Sequence, residues 1–253
     1  IKIGEKLIKL GEENLQISSI GMGYNIKAGG CNNYGDFAGA VESAKQAVVV
    51  SKDPMYKDGF TLMLAISNLL KGDTDKADVY LRKVMPVLKT NKNVFFLGTG
   101  ILQKGVVLVD TGFMSKGLNM IKDLERNSIT AQRRGMLPLI RLVLGKIFLE
   151  IIQQTKPINK LTILKNIGFI IQNVPTAYKK AIYWYQKSID VSEETGAIGI
   201  KAQALLDLGI ICRIKNQNSK AKNHLEEAIE IFEEVGAYGF LKQAKEELSN
   251  LTK

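Results

Sequence analysis

With 253 residues, the chain has room for one or two globular units or for one array of small repeats. Its 45% apolar and 24% charged content excludes wholesale disorder. Two cysteines and a single histidine exclude a disulfide scaffold, zinc-finger spacing and most His-dependent metal or triad chemistry. The net charge of +10 is uneven, because residues 111–190 hold 13 basic and 4 acidic side chains.

In chain order, a short helix is expected over 1–12, where charge and apolar residues alternate without the pattern of a signal peptide. Helix pairs follow at 15–33 with 36–51, 56–70 with 74–90, and 94–110 with 113–126. A fourth pair, 131–154 with 176–194, brackets an inserted helix near 158–173, bounded by Pro157 and Pro175. A fifth pair is 198–214 with 219–235. A capping helix over 239–251 has Leu241, Ala244, Leu248 and Leu251 to dock and Lys242, Lys245, Glu246 and Glu247 for water. No segment has about 18 uninterrupted apolar residues, so no membrane insertion is expected. The numbering starts at Ile1, and the chain is taken as a fragment of a longer protein.

One spacing recurs. Ala28, Gly35 and Ala40 stand seven and five residues apart, with Ala47 seven further on. Ala65, Gly72, Ala77 and Val84 repeat it, then Gly105, Gly112, Gly117 and Leu124, then Gly209, Asn216, Ala221 and Ala228. Gly145 is a fifth start whose second half comes late, at Ala181 and Ser188. Paired antiparallel helices need small side chains where their backbones approach, and glycine or asparagine where the first helix ends at positive φ. Asp36, Asp73 and Ser219 are the expected N-caps of the second helices. Gly29 and Gly30 are read as packing residues of the first helix.

This spacing resembles the tetratricopeptide repeat, with Pro54 as the proline after the first pair. The resemblance implies an all-α, right-handed superhelical solenoid of antiparallel helix pairs, one domain over 1–253. The starts at 28, 65, 105, 145 and 209 give intervals of 37, 40, 40 and 64, all above the standard repeat of about 34. The last interval exceeds its neighbour by 24, room for the extra helix.

In such a solenoid the first helices line a concave face. Met22, Asn25, Asn32 and Asn33, then Leu62, Ile66 and Leu69, then Leu102, Val106 and Val109, then Arg141, Leu142 and Lys146 are its candidate residues. The competing reading is that the aliphatic ones are core. The glycines of 21–30 lack a preceding strand and dinucleotide spacing. His224 is placed on an exposed helical position, and Cys31 and Cys212 are read as packing residues. Tyr183, Trp184 and Tyr185 beside Lys179, Lys180 and Lys187 form an aromatic cluster that either packs or stacks on bases. No catalytic residue, metal or cofactor is expected.

Residues 164–189 and 204–237 further resemble the tails of bacterial signalling proteins. In those, a class III adenylyl or guanylyl cyclase domain and an AAA-type ATPase module precede tetratricopeptide repeats. That resemblance implies a non-enzymatic, cytoplasmic, regulatory interaction module, with cyclase and ATPase sites outside this chain. Its partner would be a protein or peptide, other domains of the parent chain among them, and homo-oligomers fit as well. A metabolite-sensing superhelix is the alternative. Nucleic-acid binding through Lys116, Lys122, Arg126, Arg133, Arg134 and Arg141 is the third reading.

Overall fold

A computed structural model describes residues 1–90, 94–153 and 164–251. Among the described residues the secondary structure is helical and contains no strand. The helices are α1 (Lys2–Glu13), α2 (Ile17–Tyr34), α3 (Phe37–Val50), α4 (Pro54–Leu70), α5 (Thr74–Thr90), α6 (Val94–Asp110) and α7 (Met114–Thr130). Then come α8 (Leu137–Gln153), α9 (Ile167–Asn173), α10 (Ala177–Thr195), α11 (Ile198–Ile214), α12 (Asn218–Glu234) and α13 (Tyr238–Ser249). Short 3-10 turns at Arg134–Met136 and Val174–Thr176 lead into α8 and α10. The part of the expected insert before residue 164 lies outside the described residues; its later part is α9.

The chain forms two compact units, Ile1–Val107 and Leu108–Lys253. In the first, α2 packs on α3 and also on α4, the next first helix. In the second, α8 packs on α10 and α11, and α11 on α12 and α13. Within their units α2, α8 and α11 each meet their own partner and the first helix after it.

The junctions explain the spacing. Gly35, Gly72 and Gly112 have φ of 86°, 90° and 86°, and Asn216 has 56°. At each, the following amide donates back five residues: Asp36 to Cys31, Asp73 to Asn68, Phe113 to Leu108 and Gln217 to Cys212. That bond closes the helix on its own carbonyls and needs one left-handed residue. The same bond runs from Gln16 to Gly11 and from Arg133 to Ser128, with Leu15 and Gln132 at the left-handed position. Neither residue type signals a turn, so α2 and α8 begin later than the expected 15 and 131. Asp36 and Asp73 accept from the amides of Gly39 and Lys76 at 2.8 and 3.3 Å, as N-caps do. Ser219 does not: it lies inside α12, whose cap position is Gln217.

Small residues sit where helices touch. Ala28, Ala40, Ala65, Ala77, Ala181, Ala221 and Ala228 are buried, as are Gly105, Gly117, Gly145 and Gly209. A Cβ on Gly145 would lie 2.5 Å from the Tyr185 ring, and one on Gly209 would lie 2.6 Å from Leu225 Cγ. The two contacts are equivalent, yet 40 residues separate the first pair and 16 the second. The difference of 24 places the extra chain between α8 and α10. Gly29, by contrast, faces open space, so helix-pair packing is not what puts a glycine there, while Gly30 approaches Ile1.

Candidate protein-interaction faces

In the first unit α2 and α4 run side by side. Phe60 on α4 covers Gly21 on α2, and further along Asn32 Nδ2 donates to Ser67 Oγ at 3.0 Å. Three oxygens on these two helices are enclosed yet receive no hydrogen bond: Asn25 Oδ1, Asn32 Oδ1 and Asp58 Oδ2. Burial pushes the Asp58 carboxyl above the usual carboxylate range. Met22 and Asn25 are half-buried and Asn33 is exposed. Asp58 carries no motif and was not legible as a site residue.

Several expected groove residues are core. Leu62 packs with Ala65, Ala77, Leu81 and Val84, and Ile66 and Leu69 lie partly against the same cluster. Leu102 is fully buried, and Val106 is half-buried. These helices have neighbours on more than one side, so a single aliphatic stripe cannot be both contact and open surface.

In the second unit Arg141 is a clamp rather than a groove residue. Its guanidinium meets Glu125 Oε1 at 2.9 and 3.0 Å and donates to the Lys187 carbonyl at 3.2 Å, joining α7, α8 and α10. It borders a cleft of about 640 Å³ that also holds Gln132, Arg134, Asp190 and Glu194, with Arg134 and Glu194 paired at 2.9 Å. Among the described residues no aromatic ring lines that cleft.

Lys146 bridges adjacent first helices. Its Nζ lies 2.9 Å from Asp207 Oδ2, and that carboxylate is 4% exposed. Tyr185, fully buried against Gly145, lies beside it; burial first, and then the Asp207 charge, hold the phenol well above its usual range. Only the carboxylate of this pair is buried, since the Lys146 side chain is 40% exposed, and the pair links α8 to α11. Asp207 lies 61 residues from Lys146, and nothing in the sequence marks it as the partner.

The aromatic cluster divides. Tyr185 is core, Tyr183 is exposed, and Trp184 meets Tyr183 edge-on at 5.0 Å. Lys180 is engaged with Asn173 Oδ1 at 2.9 Å and with the Gln172 carbonyl. His224 is half-buried, not exposed as expected, and burial pushes its pKa down. Cys31 and Cys212 are buried free thiols whose pKa values burial raises. No helix among the described residues is long and apolar enough to cross a membrane.

Residues 161–234 match the family model described as the tetratricopeptide repeat. The crystal structure of BtubC (BKLC) from P. vanneervenii shares the fold, with a TM-score of 0.51 at 12% identity over 94% of this chain and 89% of that one. No curated protein matches the chain. The match over 161–234 and the shared fold agree with the observed stacking of antiparallel helix pairs.

Proposed function

We propose that the chain is a non-enzymatic regulatory module that takes a peptide segment of a partner protein along α2 and α4. The observation that supports this is the set of enclosed acceptors Asn25 Oδ1, Asn32 Oδ1 and Asp58 Oδ2, beside the half-buried Met22. An enclosed acceptor without a donor costs about 1–3 kcal/mol. A peptide supplies N–H donors at regular intervals, and side-chain movement on α2 and α4 would bring these enclosed oxygens within their reach. The resemblance of residues 164–189 and 204–237 to cyclase-linked repeats extends the reading. On it, this is the cytoplasmic tail of a nucleotide cyclase with an ATPase module, and the partner segment lies in that parent.

The test is a pull-down between the full chain and the catalytic half of its parent, with Asn25→Leu and Asp58→Leu variants. Capture that weakens at least tenfold in the variants supports the proposal. Failure to capture at any salt concentration removes intramolecular docking.

A further inference from the structure

Helix α1 meets α2 through its glycines. Gly4 and Gly11 are buried: a Cβ on Gly4 would lie 2.6 Å from the Gly23 carbonyl oxygen, and one on Gly11 would lie 2.7 Å from Ile20 Cγ1. Gly4, Ile8 and Gly11 hold the places that Ala40, Ala44 and Ala47 hold in α3, so α1 is in register with the second helices of the repeats. The residue before each of the two outer contact positions is glycine or polar in those helices: Gly39 and Gln46 in α3, Lys76 and Lys83 in α5, Lys220 and Glu227 in α12. In α1 the same places carry Ile3 and Leu10, 74% and 44% exposed. The half-buried Leu7 stands between them on the same helix face. Leu15, the left-handed residue that follows α1 at φ 53°, is 88% exposed. Single exposed aliphatics are ordinary, but three on one short helix and its turn form a patch of the kind that marks a contact.

The charges beside the patch select its occupant. Lys6 and Glu13, seven residues apart, share the flank of the Ile3–Leu10 face that points away from α2, and both are exposed. Glu13 also lies 3.8 Å from Lys9, but a pair of exposed side chains at that distance is weak. An antiparallel copy of the helix reverses the order of these groups. With Leu7 opposite Leu10 of the second copy and Ile3 opposite its Leu15, Lys6 of each copy comes opposite Glu13 of the other. The face is thus complementary to itself in both its aliphatics and its charges, as a two-fold interface requires. We infer that the chain forms a two-fold dimer through antiparallel α1 helices. A contact one helix wide and about 18 Å long buries less than the roughly 1,200 Å² of a standard stable interface, so the dimer is weak, with a Kd in the micromolar range. The surface is separate from the α2–α4 face and adds self-association to the proposed function.

Sedimentation velocity of the full chain over a concentration series tests this. The expected result is a monomer that converts to a dimer across the micromolar range. Ile3→Asp/Leu10→Asp, at two exposed positions, should stay monomeric throughout, with circular dichroism showing that its helices are intact. Lys6→Glu and Glu13→Lys should each weaken association at least tenfold, since each sets like charges against one another. Lys6→Glu/Glu13→Lys should restore it, because the exchange keeps every cross-copy pair. The inference is overturned if the chain is monomeric at every concentration, if a dimer survives Ile3→Asp/Leu10→Asp, or if the charge exchange fails to rescue. It is also overturned if Ile3 and Leu10 bind phosphatidylserine vesicles and no dimer forms. Each of these failures would leave capture through Asn25 and Asp58, and with it the proposed function, standing.

Discussion

Gly145→Ala and Gly29→Ala make the same chemical change inside two helices with opposite expected outcomes. Replacing an interior helical glycine by alanine gains about 0.8–1.0 kcal/mol of helix propensity at either place. At Gly29 nothing lies within 4 Å of the added methyl, so the gain is kept. At Gly145 the methyl would lie 2.5, 2.7 and 2.8 Å from three carbons of Tyr185, a ring with no exposed surface and no room to retreat. Overpacking of that kind costs about 1–3 kcal/mol. Gly29→Ala should therefore stabilise by just under 1 kcal/mol, and Gly145→Ala should destabilise by up to about 2 kcal/mol. Propensity cancels between them, so their difference reports the glycine–tyrosine contact alone. Urea unfolding followed by far-UV circular dichroism and by Trp184 fluorescence measures both, each variant on the transition of its own unit. Equal stabilisation by the two substitutions would refute the idea that small residues here are helix contacts.

Gly72→Ala forces a Cβ into a φ of 90° and should cost about 1–2 kcal/mol, with Gly72→Asn costing less; urea midpoints decide it. Burial alone would raise the Asp78 pKa, but hydrogen bonds from Lys104 and Arg82 outweigh it, and the net shift is downward. A folded pKa below the unfolded one adds stability above the ordinary carboxylate value of about 3.9, and that stability is lost as pH falls through the folded value. Lys104→Met should therefore be less stable than wild type at pH 7, with the two stability curves converging in acid; parallel curves would exclude the pair as the cause. Asn166→Ala leaves the Gly112 carbonyl and Met114 amide without their side-chain partner and should cost about 1–3 kcal/mol. Hydrogen exchange at Met114 and over 167–173 should accelerate, and unchanged protection would show that the insert is held by other contacts.

The local architecture was legible because a helix pair writes its constraints close together. Within some twenty residues a small contact residue, a left-handed turn residue and a second small residue must appear, and they do at Ala28, Gly35 and Ala40. The junctions at Leu15 and Gln132 were not legible. There the surrounding helices impose a left-handed conformation on residues that do not prefer it, at a cost that tertiary packing offsets. The groove candidates were legible only as helix faces. Whether Leu62 or Leu102 is open surface or core depends on what lies across from it, which periodicity does not encode.

The sequence by itself determined the helices and the pairing of α2 with α3, α4 with α5, α8 with α10 and α11 with α12, since these depend on backbone geometry and on short-range spacing. Only the tertiary structure decided that Arg141 clamps Glu125, that Lys146 meets Asp207, and that the amides of α2 lack donors. Each of those depends on atoms brought together from helices dozens of residues apart, where burial and charge depend on the whole stack of neighbours and not on local order.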